Sequence, residues 1–267
     1  MKLLSINLET FTINNLRVSF FLTATLTVFL LSAPGCGSSD PDTVLRKAAN
    51  SAAAGRWKEA SEQAQKVVSK QADNVTARVL LGIAQHENRR SEKALENLEY
   101  AAKRAPDNFA VQYFYGMLLF EQQDYANALQ PLRKAYDLRK DNPDLLILLS
   151  RCCMQQNLSE GTRYLQVLRR FRSYQNEPEV YNSLAFLWLS QREYETAEKY
   201  LLEAYDKAPE NPVVLQNLGV FYDRYQQNIK KAINYYRQCV QQSNLVDDEQ
   251  RAAQARQRLG ELSQQRR

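Results

Sequence analysis

Apolar positions follow two patterns along this chain. Residues 18–31, from Val18 to Leu31, form one continuous largely apolar run. From about residue 41 onward, small and apolar residues instead recur as a set about every 34 positions. Leu81-Gly82, Ala94, Leu98, Ala101 and Pro106 form one set. Tyr115-Gly116, Ala128, Leu132 and Ala135 follow one period later. Leu184-Ala185, Ala197, Leu201, Ala204 and Pro209 come further on, and then Leu218-Gly219. Each set predicts two helices. The small residue of the leading pair lets the second helix approach closely, the later alanines lie where helix crosses helix, and the proline ends the pair. Neither helix can bury its stripe alone, so successive pairs must stack. Four periods agree at several positions each, which argues against an irregular bundle.

The other periods are less regular. In the first, Gly55-Arg56-Trp57 marks the turn, and Ala60, Ala64 and Val67 mark the second helix. In the fourth, Leu149-Ser150 replaces the usual pair, Gly161-Thr162 falls near where an alanine is expected, and the repeat runs one residue over the period. The sixth predicts a one-residue insertion near Gln227-Asn228. A last amphipathic helix is predicted from Val246 to about Gln264, with Val246, Ala253, Leu259 and Leu262 on its apolar stripe. Arg251, Gln254, Arg256 and Arg258 are expected to face outward.

The spacing over residues 41–245 resembles that of tetratricopeptide-repeat (TPR) proteins. The resemblance implies an all-α fold, a TPR solenoid in which antiparallel helix pairs form a right-handed superhelix. About six repeats are expected, near 41–74, 75–108, 109–142, 143–177, 178–211 and 212–245, within a solenoid from 43 to 245. Residues 246–267 then read as a capping helix and tail.

The first apolar run has another meaning. It is about 14 residues long, the length of a signal-peptide core and short of the roughly 20 that a spanning helix needs. Lys2 and Arg17 precede it, and Ser32-Ala33-Pro34-Gly35-Cys36 and a Gly/Ser stretch follow it. This arrangement resembles the lipobox of bacterial lipoproteins, although Ala33 and Pro34 depart from the usual residues. It implies a signal peptide over 1–35, and a lipidated Cys36 with a tether over 36–42. Acyl chains at Cys36 would hold the protein on the cell envelope facing the periplasm. Asp40, not directly after the cysteine, favours the outer membrane by the family's sorting rule.

Composition narrows the chemistry. A net charge of +5, with basic and acidic residues interspersed, describes a solvated helical surface. The four cysteines, Cys36, Cys152, Cys153 and Cys239, form no C-x-x-C pair, and there is one histidine, His86. No phosphate loop, nucleophile elbow or metalloprotease motif is present. No enzymatic activity, cofactor, metal, small-molecule substrate or nucleic acid is expected. Arg163, Arg169, Arg170 and Arg172, with Arg151 nearby, make the fourth repeat basic, and most of the many tyrosines fall in packing slots.

The function expected is therefore that of a scaffold for another envelope protein or peptide segment. The combination of lipobox and repeats is similar to small TPR lipoproteins that assist pilus secretin assembly, outer-membrane protein insertion or peptidoglycan enzymes. A spacer or self-associating scaffold without peptide recognition is the alternative. In the TPR family, slots two, five, nine and twelve of each first helix line the concave face. Those slots carry Val79, Ile83 and His86, then Tyr113, Met117 and Phe120, then Ile147, Arg151 and Met154. Asn182, Phe186 and Leu189 follow, then Gln216, Val220 and Asp223. Tyr113 through Val220 are expected to form an exposed apolar patch for a partner, with Arg151, Asn182 and Gln216 as polar anchors.

Overall fold

Asparagine marks the start of most repeats. The side chains of Asn74, Asn108 and Asn142 accept from the backbone N–H three residues on, at 2.9, 3.2 and 2.8 Å. Asn211 accepts from the N–H groups of Val213 and Val214, two and three residues on, at 2.9 and 3.4 Å, and Asp40 from Thr43 at 3.4 Å. Each satisfies one of the donors that a helix start leaves open, worth about 0.5–2 kcal/mol. Glu177 makes no such bond, and Pro178 sets the first helical turn there instead.

The computed structural model describes residues 40–264, among which are 13 α-helices and no strand. In chain order they are α1 Pro41–Ala53, α2 Trp57–Lys70, α3 Val75–Glu87, α4 Ser91–Arg104, α5 Phe109–Glu121, α6 Tyr125–Leu138 and α7 Pro143–Gln155. Then follow α8 Gly161–Leu168, α9 Pro178–Ser190, α10 Tyr194–Lys207, α11 Pro212–Arg224, α12 Ile229–Leu245 and α13 Glu249–Gln264. The expected signal peptide and Cys36 lie outside the described residues. The helices belong to two compact units, residues 40–152 and residues 153–264, divided within α7.

In the first unit each helix from α1 to α5 packs on the next. Leu45, Ala48 and Ala52 of α1 bury against Ala60, Ala64 and Val67 of α2 and Leu80, Leu81 and Ala84 of α3. The close approaches are where the small residues foretold them. A Cβ at Gly82 would lie 2.8 Å from Leu98 Cγ, and one at Gly116 2.6 Å from Leu132 Cγ and 3.2 Å from the Leu132 nitrogen. In the second unit α9 packs on α10, α11 on α12 and α12 on α13. Gly219 lies under Tyr236, where a Cβ would come within 2.7 Å of the ring.

One residue in each turn between the two helices of a repeat is left-handed: Gly55, Arg89, Gln123, Asn157, Arg192 and Gln227, with φ between 53° and 71°. The sixth turn spans four residues, 225–228, where Asn88–Arg90 and Gln122–Asp124 are three, so the extra residue does fall in this turn.

Two expected boundaries need correction, and the irregular fourth repeat departs from the others in its second helix. Residues 41 and 42 are not tether, because Asp40 caps the helix and Pro41 opens it. The second helix of the fourth repeat is short, ending at Leu168 in a run of turns through 176. The last helix starts at Glu249, not Val246, because Asp248 accepts from the Arg251 N–H at 3.1 Å and sets its first turn. Leu262 is buried as expected, but Ala252 and Ala255 take the place of Ala253 on the buried stripe, and Val246 is 60% exposed.

Candidate functional site

In the first unit, Tyr113, Met117 and Phe120 of α5 and Ile147 and Arg151 of α7 occupy the expected slots. The expectation of an exposed patch fails: Tyr113, Met117, Phe120 and Ile147 are all buried, Phe120 to 9% exposure. Bulky neighbours shield one another. Tyr113 stacks on Phe109 at 5.7 Å between ring centres and meets Phe114 edge-on. Phe120 meets Tyr125 edge-on at 5.4 Å, and the Arg151 guanidinium lies 4.7 Å from its ring centre. Arg151 itself is half-buried, and burial pulls its pKa down.

Three polar atoms in this unit are buried without a partner: the Tyr113 hydroxyl, His86 Nδ1 and Gln63 Oε1. Burial raises the Tyr113 phenol well above its usual range. His86 Nε2 of α3 lies 2.8 Å from the Glu121 carboxylate of α5. Hydrogen bonding to that carboxylate raises the imidazole pKa above its ordinary value, against an opposing contribution from burial.

In the second unit, Met154, Phe186 and Leu189 are likewise buried, so exposure fails here too. Asn182 of α9 is 1% exposed, and its Oδ1 has no partner. Asn217 of α11, one position past Gln216, is equally buried and leaves Nδ2 unpartnered. Trp188 Nε1 is a third such atom.

Gln216 is not the open anchor expected. Its Oε1 accepts from Arg251 Nη1, and its Nε2 donates to Gln254 at 2.9 Å. Asp223 receives two bonds from Arg258, at 2.6 and 2.9 Å, and one from the Tyr236 hydroxyl at 3.3 Å. Arg251 and Arg258, expected to face outward, therefore lie against α11. Val220, between those two positions, is half-buried. The sequence reading missed Asn217 and this polar seam. The seam was visible as Arg251, Gln254 and Arg258 at i, i+3 and i+7 on one helical face.

The remaining candidates are structural. Cys152, Cys153 and Cys239 are buried and not in disulfides, and burial pushes the Cys152 thiol up to about 12, away from the reactive thiolate. Arg169 pairs with Glu203 at 3.8 Å. No described helix is long and apolar enough to cross a membrane.

Comparison with known proteins agrees with this geometry. A tetratricopeptide-repeat family model matches residues 47–96 and 87–143, and another of the same description matches 213–244. The TPR repeat-containing protein PA4667 of Pseudomonas aeruginosa is 25% identical over 161 residues, 60% of this chain. The match spans 27% of that relative's length. Among solved structures, YrrB, described as a TPR protein with an unusual peptide-binding site, has a TM-score of 0.60 at 15% identity, covering 72% of this chain and 97% of its own. PilF of Pseudomonas aeruginosa has a TM-score of 0.55 at 19% identity, covering 82% and 97%. MamA of Desulfovibrio magneticus RS-1 has a TM-score of 0.56 at 16% identity, covering 64% and 95%. The chain carries tetratricopeptide repeats in an all-α TPR fold.

Proposed function

We infer that this protein is a lipid-anchored scaffold of the bacterial cell envelope that holds an extended segment of another envelope protein along its first helices. Stacked helix pairs of this kind are suited to protein–protein interaction. The observation that carries the reading is the pair Asn182 Oδ1 and Asn217 Nδ2, one acceptor and one donor, both buried and both unpartnered. Such atoms are rare because each forgoes a hydrogen bond. A peptide backbone presents the complementary N–H and C=O, and Tyr113 and His86 offer the same opportunity in the first unit. Envelope anchoring is supported by the run from Val18 to Leu31 and the small residues before Cys36.

Truncating Phe120 and Phe186 is a poor test, because both are buried and their loss unfolds as readily as it unbinds. Asn182→Leu is better. Replacing an amide whose oxygen has no partner by an apolar side chain of similar shape should cost little stability, which thermal unfolding of the variant checks. Crosslinking from native membranes with the full chain as bait should then yield several-fold less of the captured protein. Unchanged capture by a stably folded Asn182→Leu chain overturns the binding reading. Anchoring is tested separately: an alkyne fatty acid should label wild type and not Cys36→Ser, and equal labelling overturns it.

A further inference from the structure

The first repeat holds a cavity of about 360 Å³ between α1 and α2. Its apolar lining is Pro41, Val44 and Val67, and its polar lining is Lys47, Lys66, Lys70 and Gln63. All three lysines are exposed, and among the described residues no carboxylate lines the cavity or pairs with them. Gln63 Nε2 donates to Glu59 at 3.1 Å, which leaves Gln63 Oε1 buried without a partner. The volume lies within the range of small-molecule sites, roughly 300–1,000 Å³.

We propose that this cavity takes the headgroup of an anionic glycerophospholipid that carries a free hydroxyl, as phosphatidylglycerol does. Three ammonium groups around a void without a carboxylate select an anion. Gln63 Oε1 needs a donor, which the headgroup hydroxyl supplies. The apolar lining accommodates the glycerol carbons. The lipid source follows from the position in the chain, and in this respect the inference rests on the anchoring reading. Asp40 is four residues from Cys36, and at roughly 3.3–3.6 Å per residue that reach is at most about 15 Å. A lipidated Cys36 therefore keeps the three lysines within one or two Debye lengths, each about 10 Å, of the headgroups.

The test is amine-reactive footprinting of the full chain, read by mass spectrometry at Lys47, Lys66 and Lys70 against the exposed controls Lys93 and Lys140. Phosphatidylglycerol vesicles should protect the three several-fold more than the controls. Phosphatidylcholine vesicles and millimolar inorganic phosphate should not. A lysine near an anionic surface contributes about a five-fold affinity, so Lys66→Gln should weaken protection of Lys47 and Lys70 by about that factor. Equal protection by phosphatidylcholine or by inorganic phosphate overturns the proposal. So does selective protection before any vesicle is added, which marks the chain's own N-terminal segment or a second copy as the occupant. Fatty-acid labelling keeps the two readings apart. A labelled chain without protection defeats the cavity and leaves the anchor standing. An unlabelled chain with phosphatidylglycerol-specific protection does the reverse.

Discussion

Helices α5 and α11 hold the same place in their repeats, yet their equivalent slots fare differently. In α11, Gln216 and Asp223 are taken up by Arg251, Gln254 and Arg258 of the last helix, so that these polar atoms serve stacking. In α5, Tyr113 and Phe120 stand among other aromatic rings, and the Tyr113 hydroxyl is left without a partner. A repeat chain thus uses one slot for two purposes. Where a terminal helix needs a polar seam, the slot closes the stack. Where stacking is satisfied by apolar contact alone, a buried polar atom is left without a partner.

The comparison can be broken first at its frame. Gly116→Leu drives a side chain into Leu132 and its backbone nitrogen, an overpacking cost of about 3 kcal/mol. Its thermal midpoint should fall well below that of Lys140→Ala, and matching midpoints would show that α5 and α6 do not cross there. Next comes the seam. Asp223→Asn removes the charge facing Arg258, whose side chain is 29% exposed. A loss of about 2 kcal/mol is expected, less than for a fully buried pair, and Arg258→Met should recover part of it. A smaller effect separates α3 from α11. The His86 pKa is raised in the folded state by Glu121, so the pair's stabilisation is full below the unfolded value near 6.5 and is lost as pH rises through the folded value. Wild type should lose up to about 1 kcal/mol relative to His86→Gln between pH 6 and pH 9. A pH-independent difference contradicts the pairing.

The frame was legible in the sequence because helix crossings need small residues, and Gly82, Gly116 and Gly219 announce them at fixed spacing. The Asn caps shared that spacing and were equally readable. Burial of the slot residues was not. Spacing tells which way Phe120 or Met154 points, but how far neighbouring rings cover it depends on packing in three dimensions. The fate of Gln216 was hidden for a related reason. Its partners lie 35 and 38 residues downstream, in a helix whose start is set by one capping residue, Asp248.

The central claim, that slots not used for stacking serve a partner, is tested most directly by Tyr113→Phe, which removes a single oxygen. Thermal unfolding and partner capture should be measured on the same preparation. The account predicts an unchanged or slightly higher midpoint, because an unpartnered buried hydroxyl is lost, together with capture reduced several-fold. A lower midpoint with unchanged capture would contradict it, and would place the Tyr113 hydroxyl among the groups that hold the repeats together.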